Sequence, residues 1–435
     1  MAATEQLRIE RAVYGGAGLT KTSSGAVAFV PFTLPGEFVE IALPSSSNEA
    51  ELVQILEASP SRTEPRCPHF GRCGGCQYQH AGYEEQLAMK QAILLETMER
   101  AGTQNLPAIA VHSAEPWEYR NRVRFRIANV SGELRIGYSM RGTNEFLGIE
   151  TCPISSPLLL RAAFSLLETA NASREARVWL EDTREAEFFM DDASSKLNMS
   201  LYVSARTRQP KGSFGRMCEA LQARVPELSG AGAVEAGAAA FRKPAIDTWG
   251  AQGLAYRAAG ETYWISRGGF FQVNRFLVDA LVDLVCSGHK GALAWDLYAG
   301  VGLFSRVLAR AFTQVTAVEA NAAAVTDLRG ALAKLGTNHQ AVQAPTLAFL
   351  QNAVVQRDRP DLVVLDPPRA GAGMEACELL LRLNTPELVY VSCDPTTLAR
   401  DLAVLQRSYR IKAMHLIDLF PQTFHMETVV MLQQR

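Results

Sequence analysis

At 435 residues the chain exceeds what a single hydrophobic core supports, so two or three domains are expected. A hydrophobic content of 48%, a charged content of 20% and a net charge of −2 describe an ordinary globular protein and exclude a globally basic one, while leaving room for a local basic face. No apolar run is long enough to span a bilayer and no basic-plus-apolar leader opens the chain, so a cytoplasmic protein with no membrane partner is expected.

Residues 1–58 carry short alternating stretches, Leu7 to Val13, Ala26 to Val30 and Glu37 to Leu43, separated by Gly15-Gly16-Ala17-Gly18, Ser23-Ser24-Gly25 and Leu34-Pro35-Gly36. This spacing predicts a small β-barrel, with the glycine loop serving turn geometry because no helix pattern follows it. Tyr14-Gly15-Gly16-Ala17-Gly18 and Ala28-Phe29-Val30-Pro31-Phe32, with Leu34-Pro35-Gly36-Glu37, resemble the TRAM module, an OB-like barrel attached to RNA-modifying enzymes. The resemblance implies a face for single-stranded nucleic acid.

Residues 59–258 are expected to form a central α+β domain. Cys67, Cys73 and Cys76 make a glycine-rich C-x5-C-x2-C run in which thiolates can converge on one inorganic centre. Cys152, followed by Pro153 as Cys67 is by Pro68, is the candidate fourth ligand. An iron–sulfur centre is the first reading. Zinc, completed by His69 or His80, is the second, because only one C-x2-C pair is visible. Tyr83 to Ala101 has helical periodicity ended by Gly102, and this helix is free to pack on the catalytic domain. Alternation then places Arg120, Arg122, Arg124 and Arg126 on one strand face, which reads as a footprint for phosphates, with a solvated strand face as the plain alternative. The Gly/Ala/Pro-rich stretch from Ser229 to Pro244 reads as a loop or linker.

From about Tyr263 strand–helix alternation predicts a doubly wound, Rossmann-like domain over 259–435. Asp296 precedes a turn with Gly300 and Gly302. Glu319 ends the next strand, where an acid can reach ribose hydroxyls, and Asp366-Pro367-Pro368-Arg369 ends another. The run Leu388 to Val391 reads as a buried strand that delivers Ser392-Cys393-Asp394-Pro395, with Thr396 or Thr397 as helix cap. A cysteine there sits over a helix N-terminus that stabilises its thiolate; the alternative is a packing cysteine.

Phe270-Phe271-Gln272-Val273-Asn274, Asp296 to Phe304, Asp366 to Arg369, Ser392 to Pro395 and Phe420-Pro421-Gln422-Thr423-Phe424-His425-Met426-Glu427-Thr428 together resemble the RNA 5-methyluridine methyltransferases. The cysteine run resembles that of members with a [4Fe–4S] centre. The resemblance implies S-adenosylmethionine as methyl donor, with contacts from Gln272, Tyr298, Glu319 and Asp366, Cys393 as nucleophile and Glu427 as base. Leu303 and the stretch 343–346 depart from the pattern, which bears on the adenosine end. Methylation of uracil C5 in RNA is the expected activity. The combination of barrel and cluster resembles enzymes acting on 23S rRNA; a tRNA T-loop enzyme, an amino-group methyltransferase and a non-catalytic iron–sulfur RNA-binding protein are the alternatives. Nothing suggests an obligate partner chain, so a monomer is expected.

Overall fold

The computed structural model describes residues 4–43, 47–204, 211–237 and 245–435. The N-terminal stretches form two three-stranded antiparallel sheets. One pairs Thr4–Arg8, Phe38–Ala42 and Glu51–Glu57; the other pairs Arg11–Val13, Ala17–Lys21 and Val27–Pro31. The expected strand Leu7 to Val13 thus breaks at Ile9-Glu10 and serves both sheets. Leu7, Ile9, Ala28, Val30, Val39 and Ile41 form their common core.

The central region builds a seven-stranded sheet in the order Phe146–Gly148, Glu133–Ser139, Arg122–Val130, Thr183–Met190, Leu197–Val203, Leu228–Glu235 and Asp247–Gly250. Helices Pro157–Ala172, Arg174–Glu181 and Ser213–Gln222 pack against it. The expected linker from Ser229 is instead the largely buried strand Leu228–Glu235, parallel to Leu197–Val203. Its glycines and alanines are there because neighbours come close. A Cβ on Gly230 would lie 2.0 Å from the Ala251 carbonyl oxygen, and one on Gly232 2.4 Å from the Arg267 guanidinium. Small residues therefore mark a crowded strand rather than a flexible one. The rest of that expected linker, 238–244, lies outside the described residues.

The arginine strand is also corrected. Its neighbour Thr183–Met190 supplies the missing acids: Arg124 pairs with Glu187 at 2.7 Å and with Glu185 at 3.8 Å, and Arg122 lies 3.7 Å from Glu187. Arg126 donates to Ser139 and to the Asn144 carbonyl. Alternation along one strand is blind to the strand beside it, and of the predicted phosphate footprint Arg122 and Arg124 are neutralised by neighbouring acids.

The C-terminal sheet has eight strands in the order Gln340–Gln343, Phe312–Glu319, Gly291–Leu297, Leu362–Leu365, Glu387–Ser392, Glu427–Gln434, Tyr409–Ile417 and Ile109–His112. The first five are mutually parallel, and Glu427–Gln434 runs antiparallel to both its neighbours. Leu388, Val389, Tyr390 and Val391 are all fully buried, each worth about 1.5–3 kcal/mol relative to exposure for a large apolar side chain. Sequence spacing assigned 59–258 to the central domain, yet Ile109–His112 is the last strand of this sheet, parallel to Tyr409–Ile417. Helix Tyr83–Arg100 joins the same body, contributing Met89, Ile93, Leu94 and Met98 to the core that holds Tyr390 and Leu398. No helix among the described residues is long and apolar enough to cross a membrane.

Candidate active site

The residues singled out in the C-terminal region converge on one edge of the eight-stranded sheet. Asp296 and Glu319 lie at the carboxyl ends of their strands, while Asp366 and Cys393 follow the last residues of theirs. Glu427 opens the antiparallel strand and so lies at the same edge. Because Ser392 pairs with Thr428, the next position along places Cys393 beside Glu427. Loop 270–274, with Gln272, reaches this edge through Asn274, whose side chain donates to the Leu419 carbonyl at 3.1 Å.

The turn after Gly291–Leu297 is tightly specified. Tyr298 holds a left-handed φ of +64°, a costly conformation for an aromatic residue and one that clusters at functional sites. Gly302, at φ +88°, could not carry a Cβ without approaching Leu328 Cδ1 to 2.6 Å. The fully buried Asp296 accepts from the Ser305 hydroxyl, while its other carboxylate oxygen is buried without a partner. Glu319 accepts from the Gly300 amide at 3.0 Å and from the Asn321 amide at 2.6 Å, so it braces the turn in addition to any ligand contact. Leu303 is buried and offers only its backbone carbonyl, which accepts from Tyr263.

After Cys393, helix Pro395–Leu405 is capped by Asp394, not by the threonines. Its carboxylate accepts from the amides of Thr396 and Thr397 at 2.9 and 3.1 Å. Proline at the first helical position leaves the preceding aspartate as the cap.

The electrostatics reverse the expectation of a stabilised thiolate. Burial, the Glu427 carboxylate and the Asp366 carboxylate push the Cys393 thiol up to about 11, against a downward pull from Arg369. Glu427 itself is pushed well above the carboxylate range by burial and by Asp366. Burial also pushes Asp296 up to about 7, and burial together with Asp296 does the same to Asp366. The helix N-terminus is outweighed by burial, the largest cause, and by the two carboxyl groups. As a set, these groups ask for a cation in their midst.

Several site residues carried no role in the sequence. Arg369 stands 3.0 Å from His425. Tyr14, from the N-terminal glycine turn, donates to Asp394 at 3.2 Å and packs edge-on against Phe424. These contacts span more than fifty and nearly four hundred positions, so local pattern holds no signal for them.

Cys67, Cys73, Cys76 and Cys152 line a separate cavity of about 90 Å³, shared with His69, Arg120 and Tyr138. Burial and the neighbouring thiols push Cys67 and Cys73 up, and burial pushes Cys76 to about 12. Tyr138 points its hydroxyl at the Cys152 sulfur, 3.9 Å away. Among the described residues no three His, Cys, Asp or Glu side chains are placed to hold a single metal ion. His80 lies against Phe32 and Phe70 instead, in a neighbouring cleft.

A largely parallel sheet whose carboxyl edge carries a glycine turn and an acid on the second strand has the architecture of a class I methyltransferase, and a cysteine and a carboxylate stand side by side at the same edge. The model of the tRNA (uracil-5-)-methyltransferase family matches residues 251–435. An RNA methyltransferase of Aquifex aeolicus is 31% identical over 98% of both chains. The 23S rRNA (uracil(1939)-C(5))-methyltransferase RlmD of Chromohalobacter salexigens is 31% identical over 99% of this chain and 90% of its own. The chain belongs to the RNA (uracil-5-)-methyltransferase family. Its fold is shared with the Pyrococcus abyssi tRNA (uracil-54, C5)-methyltransferase solved with S-adenosyl-L-homocysteine, at a TM-score of 0.75 and 22% identity over 98% of this chain and all of that one.

Proposed function

We propose that this enzyme methylates C5 of a uridine in 23S rRNA through a covalent cysteine adduct, with Cys393 as nucleophile and Glu427 as base. The observation that carries the reading is the strand register that sets these two residues side by side at the edge bearing the glycine turn. The reading of rRNA is supported by the 31% identity to a 23S rRNA enzyme, against 22% to the tRNA enzyme of the same fold.

Uracil C5 is a poor nucleophile. Addition of the Cys393 thiolate to C6 forms the C–S bond and moves the ring electrons into an enolate, whose C5 attacks a methyl group. Glu427 then takes the C5 proton, the ring electrons return, and the C6–S bond breaks to release the thiolate. S-adenosylmethionine would supply that methyl group, its S–CH3 bond breaking to leave S-adenosylhomocysteine, and, as a sulfonium, a positive charge. The fit is electrostatic: Asp296 keeps an unpartnered buried oxygen, and burial with mutual repulsion holds Asp296 and Asp366 above the usual carboxylate range, a strain that a bound cation would relieve. Gln272, Tyr298, Glu319 and Asp366 are its assigned contacts. Glu427 is 4% exposed, so the base works out of reach of bulk water.

With 5-fluorouridine at the target position the final elimination cannot occur, so a covalent RNA–protein species carrying the methyl group should accumulate. Failure to trap any such species with rRNA or tRNA, or trapping that persists in Cys393→Ala, overturns the mechanism.

That Cys67, Cys73, Cys76 and Cys152 line one cavity supports their holding an iron–sulfur cluster. It would supply a rigid structural centre and no catalytic step. Protein purified without oxygen should show broad visible absorption and about four irons per chain for a [4Fe–4S] centre; stoichiometric zinc in place of iron would refute this assignment. The N-terminal sheets, with the turn that reaches Asp394, serve as the RNA-holding module.

A further inference from the structure

The segment leading into Glu427 is not a free loop. Gln422 lies five residues before it, is 1% exposed, and holds a left-handed φ of +69°. Four hydrogen bonds converge on this one residue. Its carbonyl accepts from the amides of Gln77 and Tyr78, both at 3.0 Å, immediately after Cys76. Its amide donates to Gln86 Oε1 at 3.0 Å, and Gln86 Nε2 donates to its side-chain oxygen, also at 3.0 Å. Just upstream, Lys90 donates to the Phe420 carbonyl at 3.0 Å and Tyr119 to the Pro421 carbonyl at 3.2 Å. Downstream, Thr423 and His425 close a short turn that hands the chain to the Glu427 strand.

A strained backbone persists only where its surroundings over-determine it. Here the surroundings are the cysteine loop and the first turns of helix Tyr83–Arg100, some 340 positions away in sequence. We propose that Gln422, clasped by Gln86 and by the backbone after Cys76, is a positioning residue that sets Glu427 against the uracil C5 proton. The front of the chain thereby acts on the proton-removal step, distinct from any contact it makes with RNA. This rests on the assignment of Glu427 as base.

The test separates the two halves of the reaction. Gln422→Gly removes the side-chain bond while suiting the left-handed backbone, Gln86→Leu removes both of its bonds to Gln422, and Gln86→Glu keeps only the acceptor. Single-turnover methyl transfer and tritium release from RNA labelled at uridine C5 are measured on the full-length protein. In Gln422→Gly and Gln86→Leu, methyl transfer is expected within about twofold of wild type, while tritium release slows ~10–100-fold, the penalty for a catalytic group misplaced by about 1 Å. The methylated covalent species accumulates in step, and Gln86→Glu falls between. Tritium release that tracks methyl transfer in every variant, whether both fall or neither does, overturns the proposal. Glu427→Gln serves as reference: if it releases tritium at the wild-type rate, the base assignment fails, and that failure is distinguishable from failure of the clasp.

Discussion

Replacing Cys393 by alanine is expected to slow single-turnover methyl transfer by at least about a thousandfold, or about 4 kcal/mol of barrier, without loss of S-adenosylmethionine binding. The size of the effect follows from the chemistry. Without addition at C6 there is no enolate, and the methyl donor faces an unactivated ring. The fold should tolerate the change, because Cys393 is partly exposed and the cap of the following helix belongs to Asp394. The pH profile gives an independent check. A thiol held up to about 11 is mostly protonated at neutral pH, and the reacting form is the thiolate. The rate should therefore climb as pH rises through neutrality, and the elevated Glu427, which must also be ionised to act, works in the same direction. Arg369→Met removes the cation that pulls the thiol down and should carry this rise to higher pH. A Cys393→Ala enzyme with residual turnover near wild type, or a rate independent of pH, contradicts the assignment.

The second large effect concerns stability. Lys90 and Asp418 form a fully buried ion pair with Nζ–Oδ1 at 2.6 Å, and Tyr83 donates to the other aspartate oxygen at 2.9 Å. Burial pulls the Lys90 ammonium down and Asp418 pulls it back up, so neither partner is comfortable alone. Lys90→Met is expected to destabilise the fold by about 3–5 kcal/mol, because it strands a buried carboxylate. Adding Asp418→Asn should recover part of the loss by removing the stranded charge, a non-additive result that a double-mutant cycle reads directly. Denaturant unfolding followed by tryptophan fluorescence measures both. A shift below about 1 kcal/mol for Lys90→Met would show the pair to be dispensable.

The sequence made some of this readable and hid the rest for physical reasons. Helix Tyr83–Arg100 and the strand that delivers Cys393 follow from periodicity and from an unbroken apolar run, which are local properties. The strand Leu228–Glu235 was misread because glycine and alanine signal flexibility when their neighbours are unknown, and only Ala251 and Arg267 reveal the crowding. Ile109–His112 is too short, at four residues, to carry a strand pattern of its own. The site was legible as residue types at strand ends, but its electrostatics were not. Burial, together with the proximity of Glu427 and Asp366 that follows from sheet order, turns a thiol expected to ionise easily into one that resists ionisation.

The edge strand Ile109–His112 has one more consequence, for how the chain is made. Its partner Tyr409–Ile417 lies about three hundred residues further along the chain and leaves the ribosome long after it. Until then, helix Tyr83–Arg100 and its strand must wait with apolar surface uncovered, and the nascent chain cannot mature one domain after another. The same threading argues against a self-sufficient C-terminal fragment. The stretch 251–435 that matches the family model would carry an unpaired edge at Tyr409–Ile417 and an open hydrophobic face where the helix belongs, the combination that favours aggregation.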